Sequence, residues 1–378
     1  MKKKRVAFVI NGLYGGGAER VLQVFLNNYD RRKYDITVVS HKQEDIHAPY
    51  PAGIRYKSIL KSKSGLGNMW VRIYNKINLT IYEKFPPRIF RLFYLREKFD
   101  VEIAFIEGYA TRIVSGGRSD RKIAWVHIDL KLYPWTDIAF RSKEEQAECY
   151  SKFDEVVSVS ESVRRSVEEL FPCRSVVIYN PIDTKTIRET SSESAVEKEP
   201  GPLLFVSAGR LAPQKGYDRL ITIAGQLVSE GFDFRLWIVG EGSERELLEG
   251  LIRSWKLEGT VKLLGYQPNP YPYMKAADWF VLSSRHEGYG LVVAEALILG
   301  TPVISVMCGE MDHMLGRNNE WGIIVDNEDA ALLDGMRNIL ANKELTEEYG
   351  KRAAEGGNRF SLERQMEEIY GVIETDRV

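Results

Sequence analysis

Residues 285–305, RHEGYGLVVAEALILGTPVIS, decide how the second half of the chain is expected to fold. The apolar run WFVL before them predicts a buried strand, and a loop containing Gly288 and Gly290 leads into an apolar helix over residues 291–299. The free amides and the dipole at such a helix start favour an anion. Glu295 lies inside this helix, where a buried carboxylate is costly without a partner. That partner is either a ligand or, in a purely structural role, a neighbouring arginine.

The length and composition of the chain limit the classes of protein to consider. Its 378 residues suffice for about two domains, and the composition is globular rather than fibrous or disordered. None of its apolar runs reaches the roughly 20 residues that a membrane-spanning helix needs. The three cysteines lie far apart, which predicts neither a disulfide framework nor a metal site. We therefore expect a reduced, cytoplasmic protein.

The chain begins with a strand, a glycine loop and a helix. The strand RVAFVI is followed by NGLYGGGAER, whose glycines, Gly15, Gly16 and Gly17, bring backbone amides to a helix start. A tight turn that binds nothing is the structural alternative. The loop differs from the dinucleotide pattern GxGxxG, and the next strand, DITVVS, ends without the acidic residue that this pattern requires. A dehydrogenase is therefore disfavoured.

His127 lies at the end of another strand, KIAWVHI. Ligands of open α/β sheets bind at the carboxyl ends of the strands, so this histidine is a candidate for the chemistry. A lone histidine is nevertheless more often structural.

Residues 57–98, which we call the basic aromatic segment, mix basic side chains with Trp, Tyr and Phe. The basic side chains among the aromatic ones are Arg72, Lys76, Arg88 and Arg91. Pro86 and Pro87 are expected to divide the segment into two helices. Such helices either lie on an anionic membrane surface or present a solvated face above an apolar one. Nucleic acid is disfavoured as a partner, because no nucleic-acid-binding motif accompanies the charge.

The second half of the chain restarts the alternation of strands and helices. The strand LLFVSAGR ends at Arg210, and the loop LAPQKG carries Lys215. The carboxyl ends of parallel strands meet at one sheet edge, so we expect both cations to lie beside the loop 288–290. Two cations and helix-start amides make a diphosphate site that needs no metal. The chain also has no Asp-x-Asp motif to hold one.

Two glutamates extend this site beyond the diphosphate. Glu295 is placed to accept hydrogen bonds from ribose hydroxyls, and Glu287 from hydroxyls of the group attached to the diphosphate. Together with the cations, they describe a site for a nucleoside-diphosphate sugar.

With these motifs the chain resembles the retaining glycosyltransferases of GT-B family 4, which includes bacterial polysaccharide and lipopolysaccharide transferases. The resemblance covers nearly the whole chain and rests on GGGAER, NPID, GRLAPQKG, VGEGSER, EGYGLVVAEAL with GTPVI, and WGIIVDNED. Its specific part is the glutamate pair with seven residues between, together with Arg210 and Lys215. It implies two Rossmann-like, doubly wound α/β domains that face an interdomain cleft.

The resemblance also implies domain boundaries. Residues 1–184 are expected to bind the acceptor, and residues 202–355 the nucleotide sugar. Residues 185–201, a polar stretch, are expected to form the linker. Residues 356–378 are expected to form a helix that packs back toward the first domain.

The family's functional residues carry over position by position. Arg210 and Lys215 are expected to bind the donor diphosphate and Glu295 the ribose. Sugar and phosphate are expected to contact Glu287, Gly288, Tyr289, Gly290 and Leu291. Gly16, Gly17 and His127 are expected to contribute from the first domain. The chain departs from the family at Tyr289, where many members have phenylalanine, and at VMCGEMDHML, where a Gly-Gly pair is common.

The function that the resemblance implies is metal-independent, retaining transfer of a hexose or HexNAc. The donor is expected to be a UDP-sugar and the acceptor a lipid-linked sugar, with no cofactor and no nucleic acid partner. The location is expected to be cytoplasmic, peripheral on the inner face of the plasma membrane through the basic aromatic segment. Two alternatives stay open, namely a sugar-nucleotide epimerase or hydrolase of the same fold and a non-catalytic nucleotide-sugar-binding protein.

Overall fold

Parallel strands form the core in both halves of the chain. The computed structural model describes residues 2–12, 16–42, 51–60, 69–193, 196, 198 and 200–375. The chain divides into two units, one of residues 1–181 with 363–378 and one of residues 182–362.

The first unit has a parallel sheet whose described strands follow the order β3-β2-β1-β4-β5-β6-β7. These strands are β1 (Lys4–Ile10), β2 (Tyr34–Lys42), β3 (Arg55–Leu60), β4 (Val101–Ala104), β5 (Arg121–Val126), β6 (Glu155–Ser158) and β7 (Val176–Val177). Its helices are α1 (Gly17–Asn28), α2 (Met69–Lys84), α3 (Pro87–Tyr94), α4 (Tyr109–Ser115), α5 (Lys143–Tyr150) and α6 (Glu161–Leu170). The order reverses beside β1, which makes the sheet doubly wound.

The second unit repeats the plan with the strand order β10-β9-β8-β11-β12-β13. Its strands are β8 (Leu203–Ala208), β9 (Phe234–Val239), β10 (Val261–Gly265), β11 (Trp279–Leu282), β12 (Val303–Val306) and β13 (Ile323–Val325). Its helices are α7 (Thr184–Thr190), α8 (Tyr217–Ser229), α9 (Arg245–Ser254), α10 (Tyr271–Ala276), α11 (Leu291–Ile298), α12 (Met311–Leu315), α13 (Asp329–Ala341) and α14 (Glu344–Gly357). The prediction of two doubly wound α/β domains is confirmed.

The last helix, α15 (Leu362–Glu374), packs within the first unit. The ring of Tyr370 stacks on that of Tyr34 with centroids 5.4 Å apart, and its hydroxyl accepts a hydrogen bond from the Asp30 amide at 3.0 Å. The Arg121 Nε donates to the Val372 carbonyl at 2.9 Å. The helix start differs from the predicted segment 356–378, because α14 continues to Gly357.

Three predicted elements differ from the structure. The expected linker lacks core residues in its sequence pattern, yet residues 184–190 form α7, which is capped by Asp183 and buries Ile187. The strand SVVIYN is reduced to the two residues of β7. Conversely, β3 was not predicted as a strand. Its charged side chains give a weak strand pattern, and the strand is defined by its pairing with β2.

The basic aromatic segment does contain two helices separated by Pro86, as expected. Arg72, Lys76 and Arg88 are exposed, but Arg91 is buried and forms an ion pair with Glu102. Arg91 therefore does not belong to a solvated face. Residues 61–68 of the segment lie outside the described residues.

Candidate functional site

The carboxyl edge of the second sheet brings two loops together. Strands β8 and β11 are parallel neighbours at the point where the strand order reverses, which is where a ligand crevice forms in this architecture. Several hydrogen bonds join the loop after β8 to the loop after β11. The Arg285 amide donates to the Gln214 carbonyl at 2.8 Å, and the Ser283 hydroxyl donates to the Lys215 carbonyl at 3.0 Å.

Lys215 and Glu287 contact each other at this edge. The Lys215 Nζ lies 2.6 Å from the Glu287 Oε1, which also accepts a hydrogen bond from the Ser284 hydroxyl at 2.5 Å. Both side chains are largely buried, with exposed fractions of 18% and 8%. Charge-assisted hydrogen bonds of this kind are strong and directional, so the carboxylate holds the ammonium group in one position. The structure thus joins two residues that were expected to bind different parts of a donor.

A buried arginine that the sequence analysis missed supports this loop. The Arg219 guanidinium donates to the carbonyls of Ser283 at 2.8 Å and Ser284 at 3.2 Å, and to the Asn327 Oδ1 at 2.8 Å. Its position early in α8, directly after the glycine loop, is the only signal in the sequence. Arg219 orders the backbone from which Glu287 extends.

Gly216 allows the loop after β8 to approach the loop after β11. It adopts a φ of 65°, and a Cβ at this position would lie 2.2 Å from the Ser283 carbonyl oxygen. Residues other than glycine are strained at such a φ, and their Cβ would also clash with the Ser283 carbonyl oxygen. The sequence LAPQKG therefore ends in glycine because the two loops meet there.

The start of α11 has the features of an anion site. Gly290 precedes the helix with a φ of 90°, and no side chain caps the helix amides. Gly288 and Tyr289 are buried, and Leu291 is half-buried. Uncapped amides at a helix start carry partial positive charge toward the loop that holds Glu287.

Glu295 is buried on α11, as expected, with 5% of its surface exposed. The Tyr271 hydroxyl donates to its Oε1 at 3.2 Å. One carboxylate oxygen thus already has a protein partner, which gives Glu295 a structural contact besides the ribose contact that was expected.

Arg210 has a different environment from Lys215. It follows β8, is exposed, and forms no ion pair with any residue that the structure describes. The structure therefore places Arg210 at the same sheet edge but does not bring it into the Lys215–Glu287 pair.

The carboxyl edge of the first sheet contains His127 and a second residue that the sequence analysis missed, Glu107. The Glu107 Oε2 accepts a hydrogen bond from the His127 amide at 2.9 Å, and the Asn11 Nδ2 donates to the Glu107 carbonyl at 3.0 Å. The His127 ring lies 5.2 Å from that of Phe105. A polar residue just beyond the apolar strand VEIA was the available signal for Glu107.

Burial suppresses charge at this edge. It raises the pKa of Glu107 to about 7, and the hydrogen bond from the His127 amide opposes this rise. Burial also lowers the pKa of His127 to about 4, so the imidazole is neutral at pH 7. The ring is therefore suited to hydrogen bonding rather than to holding an anion by charge.

The glycine loop of the first unit is described only in part. Gly16 is the N-cap of α1, and Gly17 is the first residue of the helix, which no side chain caps. Gly15 lies outside the described residues. These glycines therefore leave the first amides of α1 without a side-chain acceptor.

Metal sites and membrane-spanning helices are two other features that the described residues could contain. Within them, no group of three or more His, Cys, Asp or Glu side chains is arranged to hold a metal ion. No helix among them is both long enough and apolar enough to cross a membrane.

Known proteins resemble this chain in sequence and in fold. A family profile described as Glycosyltransferase Family 4 matches residues 15–186, and one described as Glycosyl transferases group 1 matches residues 189–356. The crystal structure of Anabaena Alr3699/HepE in complex with UDP covers 98% of this chain and 99% of its own, with a TM-score of 0.69 and 18% identity.

Two curated relatives match over shorter regions. A Campylobacter jejuni protein named N-acetylgalactosamine-N,N'-diacetylbacillosaminyl-diphospho-undecaprenol 4-alpha-N-acetylgalactosaminyltransferase is 30% identical over 196 residues, 50% of each chain. The lipopolysaccharide core biosynthesis glycosyltransferase LpsE of Rhizobium meliloti is 33% identical over 153 residues, 40% of this chain and 44% of that protein. The matched region thus spans about half the length of these relatives.

Two doubly wound units, the second with a charged carboxyl edge at its switch point, define a protein of the GT-B class. The two profile matches together run through almost the whole chain. The chain belongs to the family 4 glycosyltransferases, with a group 1 glycosyltransferase domain as its second half. The resemblance inferred from the sequence motifs is confirmed.

Proposed function

We propose that the protein transfers a hexose or HexNAc from a UDP-sugar to a sugar acceptor, with retention of anomeric configuration and without a metal. The observation that carries this proposal is the Lys215 ammonium, held 2.6 Å from Glu287 beside the uncapped start of α11. The UDP in the Anabaena structure and the transferase names of the relatives support the donor and the reaction class.

The chemistry follows from where charge develops. Cleavage of the sugar–phosphate bond leaves an oxocarbenium-like sugar and a negative diphosphate. Lys215, exposed Arg210 and the amides of α11 stabilise that leaving group, and preorganised groups of this kind are usually the largest single contribution to catalysis. The acceptor hydroxyl attacks on the face that the diphosphate leaves, and the departing phosphate takes its proton. No strong protein base is required.

The remaining site residues hold the donor in place. Glu287 accepts hydrogen bonds from sugar hydroxyls while it positions Lys215, and Glu295 accepts them from the ribose. His127 acts as a neutral hydrogen-bonding group at the sugar. Glu107 positions the backbone of His127 and does not touch the substrate.

The test is an assay with a panel of UDP-sugars in the presence of EDTA. Transfer to a lipid-linked or soluble sugar acceptor, with an α-linked product from an α-linked donor by NMR, is the expected result. Free sugar or an epimer formed at the same rate without acceptor identifies the epimerase or hydrolase alternative instead. A donor-dependent rise in Tm without turnover on any acceptor indicates a binding protein. Activity that appears only with added divalent metal contradicts the metal-free part of the proposal.

We also propose that the acceptor is lipid-linked and that the protein meets it at an anionic membrane surface. Helices α2 and α3 expose Ile73, Ile77 and Leu92, with exposed fractions of 39%, 52% and 47%, beside the exposed basic residues Arg72 and Lys76. Apolar side chains flanked by cations are the composition that binds an anionic membrane interface. The Campylobacter relative is named for a diphospho-undecaprenol acceptor, which supports the acceptor class.

Vesicle sedimentation tests the membrane proposal. The wild type is expected to sediment with vesicles that contain phosphatidylglycerol, and an Ile73→Asp/Ile77→Asp variant is expected to stay in the supernatant. A Leu170→Asp/Leu247→Asp variant, changed at exposed leucines of α6 and α9, is the matched control. If the wild type fails to sediment at low salt, the proposal is wrong.

A further inference from the structure

A cavity of about 510 Å³ lies in the first unit, away from the residues assigned to the transfer reaction. It is bordered by α3, by the segment leading into β4, and by the turn after α4 at Gly116 and Arg118. These segments lie at the amino edge of the sheet, because β4 begins at Val101 and β5 at Arg121. His127 and Glu107 lie at the carboxyl edge of the same sheet. The cavity is therefore separate from the site described above.

Arginines dominate the wall of the cavity. Arg88, Arg96 and Arg118 line it and are exposed, and none of the three forms an ion pair with a residue that the structure describes. Arg96 donates through its Nε to the Leu92 carbonyl at 2.9 Å, and this bond uses only one of its N–H groups. Three guanidinium groups without carboxylate partners attract an anion.

Two acidic residues line the cavity: Glu102, which pairs with Arg91, and Glu97, which is already neutralised by cations that do not line the cavity. Glu97 borders the cavity, but its carboxylate receives ion pairs from Arg5, Arg55 and Lys57. These cations hold its pKa below the usual range. The local charge in the cavity therefore remains positive.

Lys98 contributes less to this charge than the arginines do. It lines the cavity, but its Nζ lies 3.1 Å from the Asp120 Oδ1. The two charges largely cancel, so the arginines alone supply the excess.

Arg91 supplies a buried donor among the residues that line the cavity. Its side chain is 6% exposed and pairs through Nη2 with Glu102, while its Nη1 has no hydrogen-bond partner among the described residues. A buried N–H without an acceptor is costly, and such groups commonly indicate a missing ligand or ion. Burial also raises the pKa of Glu102 to about 7, which weakens the compensation of Arg91 at neutral pH. The unpartnered atom belongs to a residue that lines the cavity.

We propose that this cavity binds a phosphate group, carried either by a soluble metabolite or by a lipid headgroup. The planar guanidinium groups of Arg88, Arg91 and Arg118 match the geometry of phosphate oxygens, which accept paired N–H donors. Leu92 and Leu95 form an apolar wall beside the arginines, suited to the carbon skeleton that carries the phosphate. The proposal does not depend on the transferase reaction.

Titration with sodium phosphate, against sodium chloride at the same ionic strength, tests the site directly. The wild type is expected to show a phosphate-dependent rise in Tm. An Arg88→Ala/Arg118→Ala variant is expected to bind phosphate at least about tenfold more weakly, since it loses charged hydrogen-bond donors. The matched control, Arg165→Ala/Arg174→Ala, removes two exposed arginines elsewhere in the same unit and is expected to respond like the wild type.

Two further measurements separate the sources of the phosphate and protect the test against misfolding. Arg91→Lys keeps a cation beside Glu102 but replaces the planar guanidinium and its paired N–H donors with one ammonium group. Weaker phosphate binding with an unchanged Tm in chloride therefore supports the site. Binding to phosphatidylcholine vesicles that gain phosphatidylglycerol, lost in Arg88→Ala/Arg118→Ala but not in the control, identifies a lipid phosphate. A response to soluble phosphate, with vesicle binding that Arg88→Ala/Arg118→Ala leaves unchanged, identifies a free phosphate compound. If neither probe binds, or if both double variants respond alike, the proposal is overturned.

Discussion

The carboxyl edges of the two sheets handle charge in opposite ways. In the second unit the Lys215–Glu287 pair is held in contact by a 2.6 Å ion pair and by the Ser284 hydroxyl. In the first unit burial lowers the pKa of His127 and raises that of Glu107, so charge is suppressed. This difference suits the two edges to different chemical roles. The proposed function assigns the charged edge to the leaving group and the uncharged edge to a hydrogen-bonding role.

The largest expected effect is at Lys215, the charged side of the comparison. Lys215→Ala is expected to lower kcat by about 10²–10³, the usual loss for removing one group that stabilises developing charge. Lys262→Ala, at an exposed lysine of the same unit, is the control. The measurement is steady-state kinetics together with Tm for both variants. Near-normal turnover in Lys215→Ala would show that Lys215 does not stabilise the leaving group.

A stability effect tests the suppressed charge at Glu107. Its pKa is raised from 4.5 to about 7 in the folded state, so the wild type loses stability as pH rises through that range. Glu107→Gln does not ionise, and its free energy of unfolding relative to wild type is expected to improve by about 1–3 kcal/mol between pH 4.5 and 8.

Urea unfolding at the two pH values measures this difference. Glu169→Gln, at an exposed glutamate of the same unit, controls for the loss of a carboxylate. If the difference in free energy of unfolding between wild type and Glu107→Gln does not change with pH, the raised pKa of Glu107 is contradicted.

His127 is expected to matter less than Lys215, because a neutral ring contributes a hydrogen bond rather than a charge. His127→Ala is expected to lower kcat/KM about five- to tenfold, with partial recovery in His127→Gln. Because its pKa lies at about 4, the pH profile between 5.5 and 8 is expected to show no ionisation that disappears in His127→Ala. A limb near pH 6.5 that is lost in the variant would mean that the histidine acts through its charge.

The smallest effect is expected at a contact that supports the charged loop from outside. Arg285 pairs with both oxygens of Asp218, at 2.8 and 2.7 Å, but the two side chains are 38% and 33% exposed. Solvent screening limits such a pair to about 0.2–1 kcal/mol of stability. A double-mutant cycle with Arg285→Ala and Asp218→Ala measures the coupling. A coupling energy well above this range would show that the Arg285–Asp218 pair helps to hold the loop that carries Glu287.

The sequence predicted the fold and most of the candidate site because local signals carry both. Alternating apolar strands and amphipathic helices predicted two doubly wound units, and glycines before helices predicted the uncapped starts of α1 and α11. β3 was missed because a strand with charged side chains is defined by its neighbour rather than by its own pattern. α7 was taken for a linker because its single buried side chain, Ile187, is too little signal to read from composition.

Residues whose role depends on distant partners could not be predicted in the same way. Arg219 supports the Glu287 loop from another helix, Glu107 contacts the backbone of His127, and Arg91 lies buried against Glu102. Each is an ordinary charged residue in its local sequence. Only tertiary packing removes such a side chain from water and gives it a specific partner.

The sequence by itself determined which residue types stand at the carboxyl ends of the strands, and therefore the family and the residues of the candidate site. The tertiary structure alone decided which of those residues carry charge. Lys215 and Glu287 lie in contact and form an ion pair, whereas burial favours the neutral form of His127 and the protonated form of Glu107. The physical reason is that ionisation depends on solvation and on the distance to other charges, and both are properties of the folded chain.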